Sequence, residues 1–353
     1  MKVRPMEAGS AHTGRLPRGC VLCRRGTKMV LLVSGKCATG CFYCPLSLEK
    51  RGKDVLFANE RRVSSDEEII DEAKMIGARG TGITGGDPAA CLDRTVHLIK
   101  LLKERFGPEH HIHLYTSSLD PEVYRALEEA GLDELRVHPS AEMWTSMHGT
   151  ALASFKSGSG MRIGLEVPAL PGEEERLLAL VAYAGETGLD FINLNELEFS
   201  EGNWERLEQR GLGVKDEISS AVRGSEETAM AVVSSAKGVP VHYCSSSFKD
   251  SVQLRERIKR RAARTALPSD IITEEGTLLK GVVEGPADEI MAVLREMGVP
   301  AELFRKDEEK KRVEVAPWVL EEIISELPYE SFLVEEYPTA DRLEVEREPL
   351  RPR

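Results

Sequence analysis

Short apolar runs alternate with amphipathic stretches along the first 244 residues of the chain. The run Met29–Val33 (MVLLV) has the continuous apolar character of a strand that is buried on both faces. By contrast, Ser65–Ile76 and Asp93–Arg105 place their apolar residues at helical spacing. Runs of the two kinds follow each other about seven times, which predicts parallel strands joined by crossover helices.

The number of repeats predicts an α/β fold in which the sheet curls into a full or partial (β/α) barrel. In such a fold the active site lies at the C-terminal ends of the strands. After residue 268 the order changes to strand, helix, two strands, helix and strand, which predicts a small α+β ferredoxin-like domain. The predicted organisation is an N-terminal segment (1–27), a barrel (28–267), a ferredoxin-like domain (268–345) and a free tail (346–353).

The charge distribution supports a boundary near residue 268. The chain carries 47 basic and 59 acidic residues, a net charge of −12, and 22 of the acidic but only 11 of the basic residues follow Leu267. An acidic balance of this size argues against nonspecific nucleic-acid binding. No apolar stretch approaches the roughly 20 residues of a membrane span, and the first residues lack an apolar leader segment. We therefore expect a soluble, cytoplasmic protein with no membrane partner.

Five of the seven cysteines fall between residues 20 and 44, which indicates metal ligation rather than disulfide bonding. Cys37, Cys41 and Cys44 have the spacing C-x3-C-x2-C in KCATGCFYCP, directly after the first predicted strand. Three thiolates on one loop can ligate three irons of a [4Fe–4S] cluster and leave the fourth iron open. The alternative is a zinc knuckle, although zinc favours paired C-x2-C motifs.

At these residues the sequence resembles the radical SAM superfamily, over roughly Met29 to Cys244. Members place this motif after the first strand of a (β/α) barrel, and the open iron binds S-adenosyl-L-methionine (SAM). The resemblance implies a [4Fe–4S] cluster and SAM as cofactors, and an electron donor such as ferredoxin or flavodoxin. It also implies an oxygen-sensitive enzyme that cleaves SAM to a 5′-deoxyadenosyl radical, which then abstracts hydrogen from a substrate.

A second signature supports the resemblance. The stretch Gly85-Gly86-Asp87-Pro88 ends the second predicted strand, where family members carry a Gly-Gly-Glu-Pro-like stretch that binds the methionine ammonium group. Asp87 replaces the commoner Glu, and its carboxylate suits an ammonium ligand. By the same resemblance the polar residues at other strand ends, and the aromatic residue before the last cysteine, are cofactor-binding candidates, although each could equally be a polar residue packed inside the barrel. These candidates are Tyr43, Thr116, Ser117, His138 and Glu166.

Substrate candidates come from the sixth predicted strand. Asn193 and Asn195 alternate onto one face of Phe191–Leu197, and Glu196 stands near its rim. Two amides that point into a barrel are costly unless they are used.

A second metal site is predicted from the remaining cysteines. Cys20 and Cys23 form a separate C-x2-C, and Cys244 follows the last barrel strand. These three could bind a second iron–sulfur cluster or zinc, with Cys91 or a substrate as a fourth ligand. The alternative is an N-terminal zinc knuckle and two buried thiols, since Cys20 and Cys23 should enter the barrel from below and Cys244 should emerge on top. Cys91 opens a helix and is more readily explained as a packed thiol.

The sequence predicts a radical SAM enzyme that acts on an unidentified substrate, and it favours a macromolecule, a protein or an RNA. It looks closest to uncharacterised, largely archaeal radical SAM proteins related to pyruvate formate-lyase activating enzymes, which would suggest formation of a glycyl radical on a protein partner. The alternatives are a tRNA- or peptide-modifying enzyme, and a non-enzymatic iron–sulfur or zinc binding module. A basic run over residues 255–264 could contact phosphates, but it is more readily explained as a solvated helix face.

Overall fold

The computed structural model describes residues 1–350, and these fold into two compact units. The first unit contains Met1–Lys74 and Ala78–Leu254, and the second contains Met75–Gly77 and the residues from Arg255 onward. The predicted boundary at residue 268 therefore lies 13 residues beyond the start of the main part of the second unit. Over residues 1–350, every helix is too short or too polar to cross a membrane.

One mixed sheet forms the framework of the first unit. Its described strands are β1 (Val3–Pro5), β2 (Ala11–Thr13), β3 (Lys28–Leu32), β4 (Phe57–Ala58), β5 (Arg61–Arg62), β6 (Gly80–Thr84), β7 (His111–Thr116), β8 (Glu134–Val137), β9 (Arg162–Ala169), β10 (Phe191–Glu196) and β11 (Val241–Cys244). They lie in the order β1-β2-β11-β10-β9-β8-β7-β6-β3-β4-β5. Strand β3 and strands β6 to β11 form the central part of the sheet, and each is parallel to its neighbours there. The predicted α/β class is therefore confirmed.

Helices connect the parallel strands. The helices of this part of the chain are α1 (Arg18–Arg24), α2 (Asp66–Met75), α3 (Leu92–Phe106), α4 (Pro121–Glu129), α5 (Leu152–Gly158), α6 (Glu174–Glu186), α7 (Trp204–Glu208), α8 (Ser225–Ser235) and α9 (Ser246–Phe248). A π-helical turn, Lys249–Leu254, follows α9, and short 3-10 turns lie at Glu7–Gly9, Pro88–Cys91, Ala141–Met143 and Met147–Gly149.

The sheet has an apolar face and a polar face. Leu31, Ile83, Leu114, Leu135 and Ile163 are register partners on five successive strands, and all are fully buried. Because side chains alternate along a strand, the neighbouring positions point to the other face. Those positions carry the polar side chains that form the site described below.

The N-terminal residues are part of this sheet and do not form the separate segment predicted for 1–27. Strand β2 pairs antiparallel with β11, with His12 opposite His242, and β1 pairs with β2. Over residues 1–350 the sheet runs from β1 to β5 without closing, so the barrel is of the partial kind. Three-residue strands are too short to show a period in the sequence, which is why this pairing was missed.

The second unit contains an antiparallel sheet and three helices among its described residues. These are β12 (Ile271–Ile272), β13 (Leu278–Glu284), β14 (Phe304–Asp307), β15 (Arg312–Val315), β16 (Glu330–Glu336), β17 (Glu344–Leu350), α10 (Arg255–Thr265), α11 (Ala287–Glu296) and α12 (Pro317–Ile323), with 3-10 turns at Ala301–Leu303 and Ile324–Glu326. The strand order is β14-β15-β13-β16-β17, and β12 pairs with β13. Ile290, Leu294 and Leu320 from α11 and α12 share a core with the strand residues Val283 and Val315.

The predicted free tail over 346–353 is wrong for residues 346–350, which belong to β17. This strand pairs antiparallel with β16, and the Arg347 guanidinium lies 3.9 Å from the Phe332 ring centre. Residues 351–353 lie outside the described part of the chain. The sequence EVEREPL has too few apolar residues to show alternation, because this strand is held mainly by backbone pairing to an existing sheet.

The basic run is not the solvated helix face that its charge suggested. It forms α10, in which Arg261 is buried, Arg264 is exposed and the other four basic residues are partly buried. The Arg260 Nε donates to the carbonyl oxygen of Ile76 over 3.0 Å, and the Arg261 Nε donates to that of Pro338. Arg260 and Arg261 are thus engaged within the second unit.

Candidate active site

A cavity of about 560 Å³ lies at the C-terminal ends of the parallel strands and extends down to α1. It has the size of an ordinary small-molecule site. Most of the sequence-predicted site residues line it, and these are Cys20, Cys23, Cys37, Cys41, Tyr43, Cys44, Gly85, Gly86, Thr116, Ser117, His138, Glu166, Asn193, Asn195, Glu196 and Cys244. The fold thus brings together residues that are up to 224 positions apart in the sequence.

The loop after β3 carries three thiols at the mouth of the cavity. Cys37 is exposed, while Cys41 and Cys44 are half-buried, and burial raises the pKa of Cys41. The backbone N–H of Thr39 donates to the Cys37 sulfur over 3.4 Å, and the Thr39 hydroxyl lies 2.7 Å from that of Ser117. Three soft donors on one accessible loop are the donor set that an iron–sulfur cluster with one open iron requires.

Two side chains that the sequence analysis missed hold this loop from its other side. Arg206 of α7 donates to the Cys41 carbonyl oxygen over 2.9 Å. Asn203, buried just before α7, donates to the Tyr43 carbonyl oxygen over 3.1 Å. No sequence signal pointed to either residue, because α7 has only five residues and lies more than 150 residues from the loop.

Gly85 and Gly86 are required by close backbone packing. A Cβ added at Gly85 would lie 2.5 Å from the Ser34 carbonyl oxygen, and one at Gly86 would lie 2.3 Å from that of Lys36. The Gly86 N–H donates to the Ser34 carbonyl oxygen over 2.7 Å. The two glycines therefore fix the segment that leads into Cys37, in addition to lining the cavity.

The Asp87 carboxylate is directed at the protein and is only 7% exposed. It caps the turn Pro88–Cys91 by accepting from the Ala89 N–H over 2.9 Å. It also accepts from the Thr116 hydroxyl over 2.7 Å, from the Ser117 N–H over 3.0 Å and from the Ser117 hydroxyl. Asp87 and the buried Pro88 are absent from the cavity lining of the described residues. Asp87 thus ties the end of β6 to the end of β7.

A hydrogen-bonded chain connects the cysteine loop to β9. The His138 Nδ1–H donates to the Glu166 carbonyl oxygen over 2.7 Å, since a carbonyl can only accept. Burial lowers the pKa of His138, and its Nε2 is hydrogen-bonded to the Tyr43 hydroxyl over 3.1 Å. The Tyr43 ring is buried, which raises the pKa of its hydroxyl. The chain fixes both rings at the cavity wall.

The polar face of the sheet carries charged side chains next to this hydrogen-bonded chain. The Arg136 guanidinium, also missed from the sequence, donates to Glu134 over 2.8 Å and to Glu166 over 2.7 Å. Asn193 and Asn195 donate to the two oxygens of the same Glu166 carboxylate over 2.8 and 2.9 Å. Arg136 lies two positions before His138, which directly follows β8, and this period-two spacing is the signal that could have identified Arg136. Paired charges of this kind are tolerated inside a fold because each has several partners.

The remaining predicted residues divide between the cavity and its surroundings. The Glu196 carboxylate accepts from the Ser246 N–H over 2.7 Å and lies 3.5 Å from the Lys215 ammonium. Cys91 lies outside the cavity lining, and its sulfur contacts the Pro88 carbonyl oxygen over 3.6 Å. This half-buried thiol thus lies apart from the cavity.

Cys20, Cys23 and Cys244 face one cavity, although the sequence suggested that they would lie at opposite ends of the barrel. Helix α1 carries Cys20 and Cys23, and both thiols line the cavity. Burial raises the pKa of Cys20 to about 11 and also raises that of Cys244. Within residues 1–350, no three His, Cys, Asp or Glu side chains are grouped as ligands of a single metal ion.

Comparison with known proteins gives two family matches. Residues 31–145 match the Radical SAM superfamily, and residues 276–350 match a domain of unknown function (DUF8061). A protein of Methanocaldococcus jannaschii is 40% identical over 357 residues, which cover 95% of this chain and 93% of that protein. It is provisionally named a glycyl-radical enzyme activating enzyme.

Solved structures show more distant similarity. Streptococcus suis SuiB bound to S-adenosylmethionine has a TM-score of 0.40 at 12% identity, covering 62% of this chain and 50% of that one. Methylornithine synthase has a TM-score of 0.40 at 16% identity, covering 60% and 64%. The FeFe-hydrogenase maturase HydG of Carboxydothermus hydrogenoformans has a TM-score of 0.37 at 15% identity, covering 51% and 49%. The chain thus spans about half to two thirds of these solved chains.

Proposed function

The chain belongs to the radical SAM superfamily, and from this premise we propose that it is an activating enzyme that forms a glycyl radical on a partner protein. Membership makes it an enzyme that uses a [4Fe–4S] cluster and SAM. The observation that carries the proposal is the 40% identity to the provisionally named activating enzyme across 95% of the chain. The cavity at the strand ends, with three thiols at its mouth, agrees with it.

We propose that Cys37, Cys41 and Cys44 hold the cluster and that SAM occupies the upper cavity. When bound, the reduced cluster would supply the one electron that breaks the sulfonium C–S bond of SAM to methionine and a 5′-deoxyadenosyl radical, and that radical would take a hydrogen atom from the substrate. Gly85, Gly86 and Ser117 line this part of the cavity, which supports placing SAM there.

The residues of this chain then have separable roles. Arg206 holds the cysteine loop in place by binding the Cys41 carbonyl oxygen. Asp87 positions Ser117, which in turn contacts Thr39 between two of the cysteines. Glu196 and Asn195, at the strand ends, would contact a substrate segment that enters the cavity, as carboxylates and amides bind the peptide backbone readily.

Further parts of the proposal concern partners and organisation. A ferredoxin or flavodoxin would supply the electron, and the enzyme would act in the cytoplasm. We also propose a ferredoxin-like domain over 268–345. It is supported by the antiparallel order β14-β15-β13-β16, in which α11 and α12 make the two connections expected of a βαββαβ fold. Strands β12 and β17 would be additions to that core.

The first experiment tests the assignment of the cluster. Cys37→Ala, Cys41→Ala and Cys44→Ala should each abolish 5′-deoxyadenosine release from anaerobically reconstituted protein given SAM and dithionite. Cys91→Ala is the matched control, because this thiol lies outside the cavity, and it should release 5′-deoxyadenosine at the wild-type rate. Full release by any of the first three variants would contradict the assignment.

The second experiment tests glycine as the site of hydrogen abstraction. Wild-type enzyme, SAM and dithionite are incubated with protein extract from cells grown on glycine deuterated at Cα. We expect deuterium in the 5′-deoxyadenosine and a glycyl radical signal in the EPR spectrum. Deuterium transfer from RNA or from another labelled amino acid, with none from glycine, would replace the activating role with a different radical SAM reaction.

A further inference from the structure

The lower wall of the cavity carries four soft donors that the radical cluster does not use. Cys20 and Cys23 come from α1, and Cys244 comes from the end of β11. His242 lies two residues before Cys244 on the same strand, and it also lines the cavity. Side chains two positions apart on a strand share one face, so His242 and Cys244 point the same way.

The His242 imidazole is buried, and one of its nitrogens has no hydrogen-bond partner among the described residues. It is 3% exposed, and its Nδ1 lies 3.3 Å from the Asn193 Oδ1, which can only accept. The Asn193 Nδ2 donates to Glu166 over 2.8 Å, which fixes the orientation of the amide. The Nδ1 therefore carries the proton, and the Nε2 lone pair has no hydrogen-bond partner among the described residues. A buried imidazole with one nitrogen held and the other unpaired is typical of metal ligation.

The thiols are connected to this imidazole through side-chain amides. The Asn193 Nδ2 lies 3.5 Å from the Cys20 sulfur, so one amide stands between Cys20 and His242. The Gln253 amide contacts the Cys23 sulfur at 2.8 Å and the Cys244 sulfur at 3.4 Å. The Gln253 amide thus stands between the Cys23 and Cys244 sulfurs, and the Asn193 amide stands between the Cys20 sulfur and the Nδ1 edge of His242. This spacing is too wide for one shared ion but suits a multi-atom cluster.

We propose that Cys20, Cys23, Cys244 and His242 bind a second iron–sulfur cluster beneath the SAM site. Cysteine and histidine together are established ligands of such clusters. The buried Arg136 guanidinium lies 3.4 Å from the Cys20 sulfur and offsets the negative charge that thiolate ligation brings. The same arrangement disfavours zinc, because a tetrahedral ion needs its ligands about 2.0–2.3 Å from one centre.

Iron content tests the cysteines in a background that lacks the radical cluster. The triple variant Cys37→Ala/Cys41→Ala/Cys44→Ala, reconstituted anaerobically with iron and sulfide, should retain about four irons per chain. Adding Cys20→Ala and Cys23→Ala should remove them, whereas adding Cys91→Ala should not. In the otherwise wild-type chain, Cys20→Ala/Cys23→Ala should keep the radical cluster, which shows that the variant folds. A triple variant without iron, or iron that persists after loss of Cys20 and Cys23, would overturn the proposal.

Pulsed EPR tests the histidine. The reduced triple variant should show a strongly coupled ¹⁴N nucleus. His242→Cys should keep the iron and lose the coupling, and this variant remains informative if His242→Ala does not fold. His12→Ala is the matched control, since His12 is the neighbour of His242 across β2 and β11, and it should leave the coupling unchanged. Coupling that survives in His242→Cys would exclude His242 as a ligand. None of these measurements depends on SAM cleavage, so their outcome is independent of the proposed reaction.

Discussion

Replacing Asp87 by alanine should destabilise the first unit far more than the loss of an ordinary helix cap. The carboxylate is 7% exposed and accepts four hydrogen bonds, from Ala89, from Thr116 and twice from Ser117. Hydrogen bonds to a charged group contribute about 1.5–3 kcal/mol each, and unsatisfied buried donors add a cost. Because the hydroxyls can turn to other partners, we expect a loss of about 3–5 kcal/mol rather than the full sum.

Asp120 provides the matched control. It also precedes a proline at the start of a helix, and it accepts from the Glu122 N–H over 2.9 Å, but it is exposed. Asp120→Ala removes only this cap, which typically costs about 1 kcal/mol. The comparison therefore isolates the bonds that Asp87 makes to the end of β7.

The measurement is urea unfolding followed by tryptophan fluorescence in a Trp318→Phe background. The chain has three tryptophans, and this change leaves Trp144 and Trp204, both of which lie in the first unit. At an m value of about 3 kcal/mol/M, Asp87→Ala should lower the midpoint by roughly 1 M or more, and Asp120→Ala by roughly 0.3 M. Equal shifts for the two variants would refute the argument that the carboxylate joins β6 to β7.

Three further outcomes follow from the structure. Arg206→Gln should release the Cys41 carbonyl oxygen and reduce the iron retained after gel filtration to less than half, with unchanged retention as the contrary result. Burial lowers the pKa of His110 to about 4. Its contribution to the free energy of unfolding should therefore be fully present above pH 6.5 and should be lost as the pH falls from 6.5 to 4, as urea midpoints at pH 7 and 5 will show. Tyr43→Phe removes the hydrogen bond to His138 and should cost about 1 kcal/mol of unfolding free energy, whereas an unchanged midpoint would contradict that bond.

Two features were readable from the sequence because they are local. The first strand and the C-x3-C-x2-C loop are adjacent in the chain, and Gly85–Pro88 ends the next parallel strand. Parallel neighbours bring their C-terminal ends to one edge of a sheet, so the meeting of these motifs follows from strand order alone. The α/β class followed in the same way from the alternation of apolar patterns.

The partners of individual side chains were decided only by the tertiary structure. The sequence suggested a ligand for Asp87, but the fold places Thr116 and Ser117 about it. It also suggested opposite ends of the barrel for Cys20 and Cys244, but α1 brings Cys20 to the same cavity as Cys244 at the end of β11. A period in the sequence reports which face a residue occupies, and it carries no information about which distant side chain shares that face. Such pairings depend on how elements more than a hundred residues apart pack, and they are fixed only when the whole core forms.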